Sequence, residues 1–376
     1  MAEKLTIHDI ARLAGVSKAT VSRVLNQKPD VDPATRERIL RIMDEQGFVP
    51  SITAADLAGG RSRLIGMLIP ALTWPLIPEV MRGVAEIVGD TSYELVLYSI
   101  NSSNHEKVRS DIIDRILGTK LTSGLLAVYP GHSAQYLMKL HKQGFPVVML
   151  DDQILPPEHM PWVGADNRDG AYEATRHLLS LGHRRIAHIQ GPPKYQCSLD
   201  RLQGYYDALH EAGIEPDPRL VLQGDFMPPS GRACASQWLA LPEPERPTAI
   251  FAGNDLMAYG TLAAAEEFGL RVPQDLAVVG YDDTAPSAHM QPALTTVRQP
   301  FNEMGQQAIK LLLSLLDTQR PGNGTWHAPG SNSRNNGFLT PSQAEEAEQQ
   351  KPVRIQLPTR LVVRASCGAL SDRIGI

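Results

Sequence analysis

From residue 64 onward the sequence alternates between apolar runs of strand length and amphipathic runs of helix length. No other feature of the chain narrows its fold so far. The apolar runs are "LIGMLIP", "ELVLYS", "GLLAVY", "PVVML", "RIAHIQG", "TAIFAG" and "LAVVGYD". Between them lie helical stretches such as "PEVMRGVAEIV", "SDIIDRILG", "GAYEATRHLLSLG", "DRLQGYYDALHEAG" and "NDLMAYGTLAAAEEFG". This order predicts parallel sheets with helices on both faces. About ten such strands in roughly 300 residues exceed one comfortable core, so two α/β subdomains are expected. Residues 321–352, rich in Gly, Asn, Ser and Pro and then in Gln and Glu, break the alternation. They are expected to form a mobile surface insertion. The final "VRIQLPTRLVVRAS" returns to strand-like alternation.

The first ~60 residues follow a different period, that of short helices. "TIHD" places Thr6 at an N-cap with Asp9 three residues on, a capping-box variant. Ile7, Ile10, Leu13 and Ala14 recur at helical spacing, and Gly15 ends the helix. Ser17 caps a second helix running to about Asn26, with Val16, Val21, Val24 and Leu25 on its inner face. Asp32-Pro33 opens a third, whose apolar stripe is Ile39, Ile42 and Met43 and which Gly47 closes. Helix, tight turn, helix is the helix-turn-helix arrangement. Its second helix would offer Lys18, Ala19, Thr20, Ser22, Arg23 and Asn26 to a major groove. Arg can hold guanine bidentately, and Ser and Thr can hold phosphates or base edges. A small helical domain with a polar outer face fits the same periodicity.

Charge is distributed to match. Residues 1–63 hold ten Lys/Arg against eight Asp/Glu, a balance of +2, whereas the rest of the chain balances at −7, which together give the net −5. A polyanion partner is therefore expected for the head alone. Cys197, Cys234 and Cys367 are far apart and form no CxxC pair, which predicts neither a disulfide framework nor a structural zinc. A reducing, cytoplasmic compartment follows. The N-terminus lacks the apolar core of a secretory signal, and no apolar run approaches the ~20 residues of a membrane span. There is no G-x-S-x-G elbow, no H-E-x-x-H and no P-loop, so no catalytic residues, cofactor or metal are expected. His183 and His188 fall on a loop and a strand rather than one helix face, and Asp282 and Asp283 are strand neighbours pointing opposite ways.

"LTIHDIARLAGVSKATVSRVLNQKPDVDPATRERILRIMDEQGFVP" resembles, without gaps, the DNA-binding head of the lactose-repressor (LacI/GalR) family. The body resembles that family's periplasmic-binding-protein-like domain through "IGMLIP", "VVMLDD", "VGADNRDGAYEATRHLLSLGHRRIAHIQGP", "RLQGYYDAL", "FAGNDLMAYGTLAAAEEFGLRVPQDLAVVGYDDT" and "LTTVRQP". The fold implied is an all-α helix-turn-helix head plus an α/β periplasmic-binding-protein-like body of two Rossmann-like subdomains. The domains implied are a head over 1–50, a hinge helix and linker over 51–62, and an effector-binding and dimerisation domain over 63–376. Within the last, the N-subdomain would take about 63–163 and 296–320, and the C-subdomain about 164–295 and 353–376. The resemblance implies that Thr6, Ser17, Lys18, Ala19, Thr20, Ser22, Arg23, Asn26, Ala54 and Leu57 meet DNA, with Leu57 as a wedge in the minor groove. Ala55-Asp56 depart from the family's hinge, and an acid beside phosphates should weaken hinge contacts.

The same resemblance implies a small effector in a cleft at the carboxyl ends of the strands. Its candidate contacts are Thr73, Trp74, Asp151, Arg201, Phe226, Asp255 and Asp282. Carboxylates and a guanidinium suit sugar hydroxyls, while Trp74 and Phe226 would stack on a sugar ring or a purine. The expected function is therefore a homodimeric repressor of carbohydrate-utilisation genes, released from a pseudo-palindromic double-stranded DNA operator by a small sugar. "SCGALSDRIGI" carries no leucine heptad for a tetramer. A nucleobase-responsive, co-repressed regulator is the alternative, and a sugar-binding transport protein the remote one.

Overall fold

The computed structural model describes residues 5–25, 28–48, 62–99, 121–151, 160–318 and 354–369. Asn26, Ala54, Leu57, the rest of the hinge over 51–61, the candidate helix "SDIIDRILG" and the insertion 321–352 lie outside the described residues. The chain divides into two compact units, Met1–Leu64 with Arg115–Ser123, and the remainder.

The head contains α1 (Ile7–Leu13), α2 (Lys18–Leu25) and α3 (Pro33–Glu45). Local chemistry sets each boundary. The Asp9 carboxylate accepts from the Thr6 backbone N–H at 2.9 Å and from its hydroxyl at 2.7 Å. Ser17 Oγ accepts from the Thr20 N–H at 3.1 Å, and Asp32 from the Thr35 N–H at 3.0 Å. Such caps satisfy N–H groups that a helix cannot pair itself. Gly15 takes φ +63°, the left-handed conformation that lets the chain turn sharply between α1 and α2. Ile10, Ala11, Ala14, Val21, Val24, Val31, Ile39 and Met43 form the head's own core.

Among the described residues the body contains two six-stranded sheets. The first holds β1 (Leu64–Ile69), β2 (Glu94–Ser99), β3 (Gly124–Val128), β4 (Val147–Leu150), β5 (Trp162–Ala165) and β11 (Arg354–Leu357), in the order β11-β5-β4-β3-β1-β2. The second holds β6 (Ile186–Gln190), β7 (Val221–Gln223), β8 (Ala249–Ala252), β9 (Ala277–Asp282), β10 (Thr295–Arg298) and β12 (Arg360–Val362), in the order β12-β10-β9-β8-β6-β7. Central strands pair in parallel, as in Ile65↔Gly124 and Ile186↔Ala249, while β12 runs antiparallel to β10. β11 pairs with β5 in the first sheet, so the expected assignment of all of 353–376 to the second lobe is corrected. The chain passes between the sheets three times: after β5, after β10, and between β11 and β12.

The helices are α4 (Ile77–Val88), α5 (Ala134–Lys142), α6 (Asn167–Ser180), α7 (Gln196–Glu211), α8 (Pro228–Leu239), α9 (Asp255–Glu267) and α10 (Phe301–Thr318). α4 and α10 cover the first sheet over a core including Met67, Ile69, Val80, Leu126, Val148 and Leu312. Each fully buried aliphatic side chain contributes roughly 1.5–3 kcal/mol. Backbone contact sets the closeness of that helix pair: a Cβ at Gly83 would lie 2.0 Å from the Asn302 carbonyl oxygen, and one at Gly305 2.3 Å from that of Val80. Among the described residues no helix is long and apolar enough to cross a membrane.

Candidate DNA-reading face and effector cleft

α2 splits into two faces. Val21 and Val24 are buried in the head core, while Lys18, Ala19 and Arg23 are exposed and Ser22 is half-buried. The Ser17 and Thr20 hydroxyls lie 2.9 Å apart and serve the cap, as Thr6 does for α1. The Thr6 hydrogen bonds hold the Asp9 carboxyl below its ordinary range. Lys18, Ala19 and Arg23 are thus the exposed side chains of α2 that the cap does not use. Arg23 also meets Asp30 at 3.4 Å with both side chains more than half exposed, a partner that helical spacing did not indicate. An exposed pair of this kind is worth at most about 1 kcal/mol, so a guanine edge or a phosphate can displace it.

In the body, backbone strain marks the site. Among the described residues five non-glycine residues have positive φ: Tyr129, Asp151, Phe226, Asp282 and Asp283. Tyr129 follows β3, Asp151 follows β4, Phe226 follows β7, and Asp282 and Asp283 end β9. All five therefore sit at carboxyl ends of strands in the two sheets. Left-handed non-glycine backbone costs on the order of 1–3 kcal/mol per residue and concentrates where side chains must be aimed. Tyr129, absent from the sequence-based set, donates its hydroxyl to Asp151 at 2.8 Å and meets Trp74 edge-on at 6.0 Å. Burial, and then the Asp151 charge, push the Tyr129 hydroxyl well above its ordinary pKa. Thr73 is exposed and Trp74 half-buried in the turn after β1. Phe226 packs against Tyr195 at 5.6 Å, and a Cβ at Gly191 would lie 2.2 Å from its ring.

Arg201 is 3% exposed and fully engaged. Its Nε donates to Asn167 Oδ1 at 3.0 Å and its Nη1 to the Gly253 carbonyl at 2.5 Å. Its Nη2 lies 3.4 Å from Asp282, and the guanidinium stacks 3.7 Å from the Tyr281 ring centroid. Two of these partners connect to passages between the lobes, Asn167 directly and Asp282 through Gln299. Asn167 follows β5. Gln299 follows β10 and donates to Asp282 at 2.7 Å. Thr359, between β11 and β12, donates to the Asp166 carbonyl at 3.2 Å. Burial raises the Asp282 carboxyl against the pull of Arg201. The guanidinium thus wires the cleft floor to the connections that set the angle between lobes.

Asp255 plays a different part from the effector contact expected of it. It is 0% exposed. Its Oδ2 accepts from the Thr284 N–H at 2.7 Å and hydroxyl at 3.1 Å and from the Ser287 hydroxyl at 2.7 Å, and its Oδ1 from the Thr296 hydroxyl at 2.5 Å. Burial and the neighbouring Asp282 charge push its pKa up to about 7. With both oxygens filled by protein donors, it ties α9 to the segment after β9 and to β10. The other weighed pairs also separate. His183 meets Thr248 at 2.9 Å and His188 the Phe251 carbonyl at 3.0 Å. Asp282 faces Arg201 and Gln299, whereas Asp283 faces Arg298 and Arg364. Ser198 Oγ and Gln299 Oε1 are buried without a hydrogen-bond partner, and no sequence pattern singled them out. An open pocket of about 510 Å³ lies beside this floor, bounded by β5, β11 and the first turns of α6 and α7. Asp151 is the one expected effector residue in its wall.

A helix-turn-helix head joined to a two-lobed α/β body, with strained polar side chains at the facing strand ends, defines an effector-gated DNA-binding regulator. The head, residues 6–51, matches the model of bacterial regulatory proteins of the lacI family, and residues 175–332 match a periplasmic-binding-protein-like domain. The HTH-type transcriptional repressor CytR of Escherichia coli (strain K12) is 34% identical over 321 residues, 85% of this chain and 92% of that protein. Among solved structures, the lac repressor dimer bound to operator and the anti-inducer ONPF is 29% identical, with a TM-score of 0.77 over 97% of this chain and 99% of that one. The transcriptional regulator CelR–cellobiose complex is 31% identical, with a TM-score of 0.66 over 96% of this chain and 99% of that one. The chain belongs to the LacI family and is a DNA-binding transcriptional repressor of that family. Its relatives are regulators rather than enzymes.

Proposed function

We propose that the protein represses carbohydrate-utilisation genes as a homodimer and is released from a pseudo-palindromic operator when a small sugar enters the cleft. The observation that carries this reading is a buried carboxylate set against aromatic rings at strained strand ends: Asp151 accepts from Tyr129, whose ring meets Trp74. Carboxylate oxygens accept paired hydroxyls, and aromatic faces cover the C–H face of a pyranose. Thr73, Trp74, Asp151, Phe226 and Asp282 are the proposed effector contacts. Arg201 holds Asp282 in position rather than touching the ligand, and Asp255 holds the fold beneath. The cellobiose named with the CelR structure supports a sugar in a body of this kind.

In the head, Lys18, Ala19, Ser22 and Arg23 read base edges, Ser17 and Thr20 form the cap of α2, and Thr6 that of α1. By the family resemblance Asn26, Ala54 and Leu57 extend that surface. A sugar that favours one angle between the lobes shifts the DNA-binding equilibrium by its differential affinity for the two states. The protein acts in the cytoplasm. A second reading, a nucleobase effector, is favoured by the Tyr195–Phe226 and Trp74–Tyr129 ring pairs, which suit a planar heterocycle. A thermal-shift screen against mono- and disaccharides, purine bases and nucleosides separates the two. Stabilisation by a sugar that also lowers operator affinity supports the first, and stabilisation by purines alone replaces it with the second.

A further inference from the structure

The connection between α2 and α3 sets an acid beside the arginine of the reading helix. Asp30 is exposed, and its Oδ2 lies 3.4 Å from Arg23 Nη1. The backbone holds it there. The Lys28 N–H donates to the Arg23 carbonyl at 2.9 Å, and Arg36 Nη2 donates to the Lys28 carbonyl. On the other side of Asp30, Val31 is buried in the head core and Asp32 caps α3. The meeting of Asp30 with Arg23 is thus fixed from both chain directions, two residues away on one side and one on the other. Asp9 and Asp32 serve helix caps, whereas the Asp30 carboxylate is set against a guanidinium.

An acid on a surface that approaches DNA lowers affinity, because it opposes the release of counterions from phosphates. At this position it can raise selectivity. A guanidinium can give its charge to any phosphate, and such a contact carries no sequence information. A phosphate drawn to Arg23 would also meet the Asp30 charge and be repelled by it. The O6 and N7 atoms of guanine are neutral acceptors and escape most of that repulsion. The ion pair engages Nη1 and leaves Nε and Nη2, two parallel donors on one edge, which match O6 and N7.

We infer that Asp30 is a specificity-determining residue of the head: it positions Arg23 for a guanine edge and keeps it off phosphates. This rests on Arg23 reading a base, and the test separates the two. Anisotropy at low salt measures the full-length protein on an operator selected from random-sequence DNA, on a scrambled duplex of equal length, and on operators with each base pair replaced in both half-sites. Arg23→Ala marks the pair that Arg23 reads, as the one at which the variant no longer discriminates. Asp30→Asn is expected to tighten the scrambled duplex about tenfold and the operator about threefold or less, and to cut discrimination at the marked pair at least about threefold. Asp30→Glu keeps the charge and should return both quantities towards wild type. In the Arg23→Ala background, Asp30→Asn should leave discrimination unchanged at every pair. Equal tightening of both duplexes, with discrimination at the marked pair intact, overturns the proposal and makes Asp30 a plain surface charge. A loss of discrimination at another pair that persists without Arg23 makes Asp30 itself a base contact and overturns the positioning role. If Arg23→Ala weakens both duplexes equally and marks no pair, the base-reading role of Arg23 fails, and the proposal falls with it.

Discussion

Replacing Arg201 with Met keeps the buried stem and removes the guanidinium that joins Asp282, Asn167 and Gly253. Asp282 is left with the Gln299 amide at 2.7 Å as its neutral partner and a side chain 16% exposed. Breaking a buried pair by removing one partner costs about 3–5 kcal/mol, and the partial access of Asp282 to water points to the lower end, about 3 kcal/mol. Asp282→Asn in the same chain removes the stranded charge and should restore about half of that loss. The four tryptophans, at 74, 162, 238 and 326, all lie outside the head, so urea unfolding followed by tryptophan fluorescence reports the body alone. That separation matters because a chain of two units need not unfold in one transition. The single variant should also flatten the effector response, since the same guanidinium touches the start of one interlobe passage and, through Asp282, another. A loss below about 0.5 kcal/mol, or a double variant less stable than Arg201→Met, would refute the counter-ion role.

Burial pushes His188 down to about 4, between Tyr205 at 5.2 Å and Phe251 at 4.8 Å. Between pH 6.5 and 4 the unfolded chain binds a proton there and the folded one does not, so its contribution is intact above pH 6.5 and lost as pH falls to 4. The difference in urea stability between wild type and His188→Phe should change by about 3 kcal/mol across that window, and a flat difference would contradict it. Ser17→Ala removes the acceptor of the Thr20 N–H and should cost the head about 1 kcal/mol, seen as a lower head melting temperature by circular dichroism with the body transition unmoved. Asp30→Asn removes the competitor for Arg23 and should tighten DNA binding several-fold at low salt, an effect that shrinks as salt rises in an anisotropy titration.

The head was the most legible part of the chain because its signals are local. Thr6 with Asp9, Ser17 with Thr20 and Asp32 with Thr35 each lie three residues apart. The long apolar strands were legible because burial on both faces leaves a continuous run, as in "LIGMLI". Trp162–Ala165 and Val221–Gln223 do not stand out as strands because neither is a run of large apolar residues like the equally short "VVML", and their place comes from pairing with neighbouring strands. The site divides the same way. Asp151, Arg201 and Asp282 could be named, but whether a carboxylate is free depends on distant donors. Thr296 and Ser287 lie 41 and 32 residues from Asp255 and fill it, and only the folded sheet brings them there. Tyr129 ended a strand candidate without announcing that its backbone would turn left-handed and set its hydroxyl on Asp151.

The central claim is that a ligand in the body and DNA at the head compete through one equilibrium. Its most direct test takes an operator selected from random-sequence DNA and titrates the full-length protein by anisotropy with and without the sugar that binds it, then titrates the sugar with and without operator. Expected are a site of two symmetry-related half-sites, an operator affinity lowered at least about fivefold by the sugar, and a sugar affinity lowered by the same factor by the operator. A sugar that occupies the cleft while leaving operator affinity unchanged would contradict it.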